Sequence, residues 1–137
     1  MKMSKLFAAS LTAAIALAIS PNPIWADEGV AAAGKKVFAR CRSCHTAEKG
    51  APHRVGPNLF GVVGRTCGSS DFPRYSPGMQ GCAEKGMVWD PAHLAKYIVD
   101  ASKFLEEMTG KKGRGMTPQK LNAQQLADVI AYLETLQ

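Results

Sequence analysis

Two thiols and an imidazole lie within five residues, Cys41-Arg42-Ser43-Cys44-His45. Thiols three positions apart on one helical turn can each add to a vinyl group of the same porphyrin, and C-x-x-C-H is the attachment sequence for c-type haem. The histidine next to the second thiol then falls beneath the ring, where its imidazole can bind the iron. Two other chemistries use a C-x-x-C pair. A thioredoxin-like dithiol needs a strand-helix-strand setting, and nothing around Phe38 to His45 suggests one. A zinc site needs further ligands at short spacing, and the remaining cysteines, Cys67 and Cys82, do not form a second close pair.

An iron that passes electrons needs a second strong axial ligand, so that its coordination barely changes between oxidation states. A histidine or a methionine can serve. Met79, Met87, Met108 and Met116 lie well beyond the motif, as do His53 and His93. Met116 sits in the loop Gly113-Arg114-Gly115-Met116-Thr117-Pro118, which can fold over the far face of a porphyrin. A thioether there would favour the reduced metal and raise its potential. Met108 falls near the end of an expected helix, where methionine commonly fills core gaps. His93 reads as a surface residue, and His53 has no special claim.

These groups have to be held by a small domain. Lys2 and Lys5 precede an apolar run from Leu6 to Ile19, followed by Pro21, Pro23 and Ile24-Trp25-Ala26. This is the order of a secretory signal peptide, giving residues 1–26 as a cleaved leader and 27–137 as a single domain. The run is short for a membrane span, although an uncleaved anchor is the competing reading. Loss of the two leader lysines lowers the formal charge from +6 to +4. A basic exported domain favours acidic protein partners, which it steers by long-range attraction. With no interleaved aromatic and basic residues, nucleic acid is not an expected partner. Export also places the thiols in an oxidising space. Once haem takes Cys41 and Cys44, Cys67 and Cys82 can pair, closing a fifteen-residue loop worth about 3 kcal/mol in the chain-entropy view. Two buried free thiols are the alternative.

The periodicity predicts an all-α domain with extended loops. Ala31 to Arg40 is a helix-forming run leading into the motif. Thr46 to Gly86, rich in Gly and Pro, reads as one long loop region, plausible only if it wraps something. Asp90 and Pro91 suit an N-cap and first turn, and Leu94, Tyr97, Ile98 and Ala101 make one apolar face. Ser102 to Met108 can form a further short helix. Asn122 and Gln125 suit a capping box ahead of Leu126, Val129, Ile130, Leu133 and Leu136.

Taken in order, Gly34 and Phe38, Cys41-x-x-Cys44-His45, Gly56-Pro57-Asn58-Leu59, Gly61-Val62-Val63-Gly64-Arg65, Tyr75, Trp89, Tyr97, Met116 and Ile130-Ala131-Tyr132-Leu133 carry a resemblance. The chain resembles the small class I cytochromes c, and among them the cytochrome c2 branch of bacterial periplasmic carriers. The resemblance implies a small all-α fold wrapped around one covalent haem c. His45 and Met116 would be the axial ligands. The Pro57 carbonyl would orient the His45 ring, and Arg65, Tyr75 and Trp89 would hydrogen-bond a buried propionate. Tyr97 would touch the Met116 side, and Gly34 and Phe38 would meet Ala131 and Tyr132 where the first and last helices cross. Cys67 and Cys82 stand outside these motifs.

The implied function is that of a soluble periplasmic one-electron carrier. It would be a monomer and not an enzyme. It would shuttle between redox complexes such as a reaction centre, a bc1-type complex, an oxidase or a dehydrogenase, without stable membrane insertion. Lys35, Lys36, Lys49, Lys111, Lys112, Arg114 and Lys120 are candidates for a basic ring at the haem edge. The competing reading is a haem-based small-ligand sensor or a peroxidase-like enzyme with a labile sixth ligand.

Overall fold

The computed structural model describes residues 29–137, and the expected leader lies outside them. Helix α1 spans Ala31–Val37, an alanine-rich run whose N-cap, Val30, has no capping side chain. Its entry is held from across the molecule, where the Val30 amide donates to the Asp128 carboxylate at 2.7 Å. The helix then tightens into a 3-10 stretch over Phe38–Ser43, so the expected α-helix to Arg40 ends earlier. The tightening has a use. With three residues per turn, positions i and i+3 eclipse, which stacks Cys41 and Cys44 on one side.

The expected loop from Thr46 to Gly86 contains a helix, α2, at Pro77–Glu84. Gly78 and Gly81 make it a poor helix by propensity, which hid it in the sequence. Its start is well formed, with Ser76 accepting from the Met79 amide ahead of Pro77. Tertiary contacts supply the rest, because α2 packs on α4. The remainder of the segment is loop. Among the described residues, β pairing is limited to a single antiparallel bridge between Thr66 and Val88. Flanking it, Cys67 N–H donates to Met87 O at 2.7 Å and Trp89 N–H to Arg65 O at 2.9 Å.

Helix α3 covers Pro91–Val99, capped by Asp90 as its sequence predicts. The apolar face read as continuing to Ala101 is broken by Asp100. That residue is extended and caps the next helix, α4, at Ala101–Thr109, by accepting from the Lys103 amide at 3.0 Å. Gly110, at φ 69°, ends α4 in the left-handed conformation that glycine adopts without penalty. Helix α5, Ala123–Glu134, carries the Asn122–Gln125 capping box. Val129, Ile130 and Leu133 are its buried face.

Helices α1 and α5 cross closely. A side chain at Gly34 would collide with the Asp128 carbonyl and the Tyr132 Cβ, and the Phe38 and Tyr132 rings meet at 5.2 Å. Gly34 therefore meets Asp128 and Tyr132 at the crossing. No helix among the described residues is long and apolar enough to cross a membrane.

Candidate functional site

The helices and the Gly-rich loops enclose a cavity of about 370 Å³. Cys41, Cys44 and His45 line it, and so does Met116 from the loop before α5. Pro57, Arg65, Tyr75, Trp89 and Tyr97 line it too. Nine residues singled out by sequence, spread from position 41 to 116, thus share one space. Cys67 and Cys82 are not among its lining. They are joined as a disulfide, with Cα atoms 5.8 Å apart and both residues 0% exposed.

His45 is fixed in orientation. The His45 amide donates to Cys41 O at 2.9 Å, closing the motif's turn. Its Nδ1 lies 2.7 Å from the Pro57 carbonyl. A carbonyl only accepts, so Nδ1 carries the hydrogen and Nε2 keeps a free lone pair. Burial lowers the ring's pKa, opposed by the bond to Pro57, which favours the neutral, metal-binding form. Gly56 completes the mount. A Cβ there would lie 2.8 Å from both ring nitrogens and closer still to Cε1. Gly56 was legible only as part of a motif, and its contact with the ring depends on folding.

Cys41 and Cys44 are unpaired and half-buried. Burial pushes the Cys41 thiol up, against the opposing charge of Arg40 and with a smaller contribution from Cys44. The Cys41 thiol is therefore held in its protonated form. The chemistry of this donor set fits a covalent haem. Two thiols three residues apart, an oriented imidazole next to them in the chain and Met116 from a different loop line the same cavity.

Arg65 is half-buried and anchored by donation to Asn58 O at 3.1 Å and Phe60 O at 3.3 Å. Burial lowers its pKa, with Tyr75 acting the other way. The Tyr75 hydroxyl pairs with Ser70. Trp89 packs edge-on to Tyr97, centroids 4.9 Å apart, and Phe104 lies beyond both. The Tyr97 hydroxyl is pushed up to about 12, first by burial and then by Tyr75. Gly115, next to Met116, lies close to that hydroxyl, since a Cβ there would be 3.6 Å away.

The other histidines have structural duties. His53 bridges two loops. Its Nδ1 accepts from the Asn58 amide at 2.9 Å, and its Nε2 donates to Asp71 at 2.6 Å. His93 is partly exposed, at 30% for its side chain, with Nδ1 near Asp90 and Val88 O. Met79 lines the cavity and touches the Cys67 sulfur at 3.0 Å, a contact the sequence did not indicate. Of the cations expected at the haem edge, Arg114 reaches the cavity rim and Arg40 and Arg74 join it there, whereas Lys111 is paired to Glu84 at 2.7 Å.

Known proteins place this geometry. The sequence model of the Cytochrome c family matches residues 31–137. Cytochrome c2 of Cereibacter sphaeroides is 41% identical over 138 residues, covering 93% of this chain and 94% of that protein. Cytochrome c-550 of Novispirillum itersonii is 42% identical over 110 residues, covering 79% of this chain and 99% of that protein. The crystal structure of cytochrome c2 from Rhodobacter sphaeroides superposes with a TM-score of 0.71 at 38% identity, covering 80% of this chain and 97% of that one. The fold, the Cys-x-x-Cys-His cavity and these likenesses agree, and the chain belongs to the cytochrome c family as a class I, cytochrome c2-like protein.

Proposed function

We propose that this chain is a one-electron carrier of the bacterial periplasm, with haem c tethered through Cys41 and Cys44 and its iron held by His45 and Met116. The observation that carries the reading is convergence. Two thiols, an imidazole oriented by the Pro57 carbonyl and the Met116 thioether face one cavity. When bound, haem supplies an iron that alternates between ferrous and ferric states.

The chain's residues set the terms of that exchange. The Nδ1–H to Pro57 bond fixes the ring plane and makes Nε2 a stronger donor. Met116 offers a soft sulfur, which would favour the reduced state of a bound haem iron and hinder small molecules from reaching it. Arg65, Tyr75 and Trp89 offer donors to a propionate that would otherwise be a costly buried charge. Buried Trp89 packs on half-buried Tyr97, whose hydroxyl lies near Gly115, and together they limit water on that part of the cavity. Ligands held this firmly need little rearrangement on electron transfer.

Exposed Arg40, Arg74 and Arg114 at the cavity mouth give an approach route for an acidic redox partner, such as a reaction centre, a bc1-type complex, an oxidase or a dehydrogenase. Oxidation by such a partner slows as salt screens the attraction. The chain acts as a monomer and catalyses no reaction of its own.

The test is Met116→Ala in the purified holoprotein. The parent is expected to show the weak ferric band at the red edge of the visible and to resist CO when ferrous at neutral pH. The variant is expected to lose the band, take up CO and fall in midpoint potential. A variant with the parent's spectrum and potential would remove Met116 from the iron. A parent that takes up CO readily would favour a sensor or a peroxidase-like enzyme instead.

A further inference from the structure

The Cys67–Cys82 disulfide is not itself part of the cavity lining, yet it is connected to the loop that carries Met116. Cys82 belongs to the last turn of α2. Cys67 belongs to the hydrogen-bonded pair of segments that also holds Arg65 and Trp89. The bridge therefore fastens α2 to that hydrogen-bonded pair of segments. The same helix also meets the segment just before Met116. Gly78 N–H donates to Lys112 O at 3.1 Å, and a Cβ at Gly78 would lie 3.0 Å from the Gly113 Cα. Gly113 in turn is wedged against Ser102 and Leu105 of α4. Glu84 takes the Lys111 ammonium at 2.7 Å.

Helix α2 cannot hold this position by itself. It has eight residues, two of them glycine, and helices this short are unstable without tertiary support. Those two glycines let α4 and residues 111–113 come close, so the features that bring the loop in also weaken the helix. A covalent tie at Cys82 compensates.

We propose that Cys67 and Cys82 are positioning residues for Met116. Their bridge anchors α2, and α2 holds residues 111–113 so that the thioether stays at the iron. This rests on Met116 being the axial ligand. The alternative, that the bridge only raises overall stability, predicts a different pattern of opening.

The test compares the parent holoprotein with Cys67→Ala/Cys82→Ala. Trypsin can cut after Lys111, Lys112 and Arg114, all exposed, and its rate under native conditions reports local opening. Cleavage at those three positions is expected to rise about tenfold or more over cleavage at Arg40 and Arg42. CO uptake by the ferrous form is expected to move towards that of Met116→Ala. Cleavage that rises equally at all five positions, or at none, would overturn the proposal. If the double variant does not accumulate as holoprotein, Gly78→Ala serves in its place. It keeps the bridge and pushes directly on Gly113, and parent-like cleavage and CO resistance would overturn the proposal equally. A parent that binds CO as readily as Met116→Ala would refute the ligand assignment and with it the proposed role, whereas failure of the trypsin pattern in a CO-resistant parent would refute the clamp alone.

Discussion

Replacing Gly56 with alanine tests whether the imidazole of His45 is held by shape as well as by its hydrogen bond. Gly56 does not have a positive φ, so alanine fits its backbone and any cost must come from the ring. The added methyl carbon would sit 2.8 Å from Nδ1 and Nε2, with Cε1 nearer still. Neither side can yield easily. Gly56 N–H donates to Cys44 O at 2.8 Å, Gly56 O accepts from the Arg54 amide at 2.9 Å, and His45 is tied to Pro57 O at 2.7 Å. Overpacking of this kind costs about 1–3 kcal/mol, and loss of the ring's hydrogen bond adds about 1 kcal/mol. The sum, about 2–4 kcal/mol, corresponds to a fall in Tm of roughly 10–20 °C for a domain of this size. Urea unfolding of the holoprotein, followed by far-UV circular dichroism, should show a lower midpoint at unchanged slope. Gly115→Ala is the control, since its nearest neighbour would be the Tyr97 hydroxyl at 3.6 Å, an ordinary contact. A cost below about 0.5 kcal/mol for Gly56→Ala, no larger than surface substitutions show, would refute the steric argument.

Asp128 is 6% exposed and accepts from the Val30 amide and the Gln124 side chain at 2.7 and 2.8 Å. Asp128→Ala should therefore cost about 1–3 kcal/mol in chemical denaturation and leave the visible spectrum unchanged. The pKa of Asp71 is lowered first by its hydrogen bond from His53, so its contribution is present above the ordinary carboxylate range and lost as pH falls through the lowered value. The Tm difference between parent and Asp71→Asn should accordingly vanish in strong acid and be full at neutral pH. For Tyr97, held near 12 in the folded chain, stability is full below the phenol's ordinary value near 10 and is lost as pH rises towards 12. Tyr97→Phe should flatten the alkaline limb of the stability curve, and a limb of unchanged slope would assign that loss elsewhere.

Legibility in the sequence followed the range of the interactions. Helices α3 and α5 announced themselves because their caps, Asp90 and Asn122, act on amides three residues away. The Cys41-to-His45 turn was equally local. Helix α2 was hidden because its glycines lower its propensity and its support comes from α4 and from Cys67. The break at Asp100 was missed because an apolar face can run through a capping residue without a change of period. In the cavity, residue types with a strong chemical signature were found. Contacts made by shape, such as Gly56 on His45 and Met79 on Cys67, have no signature before folding. His53 shows the same limit, since its partner Asp71 lies 18 residues away on another loop.

The crossing of α1 and α5 joins residues 98 positions apart, from Val30 to Asp128. The two ends of the described chain are thus laced to each other, and everything between them forms a closed circuit. If the molecule were stretched from its two ends, tension would fall on this seam and would not reach the inner loops while the seam held. The ring contact of Phe38 with Tyr132 and the close fit at Gly34 would take the strain. The loops carrying Pro57, Arg65 and Met116 would stay slack until the seam parted, so the terminal helices act as the mechanical fuse of the domain.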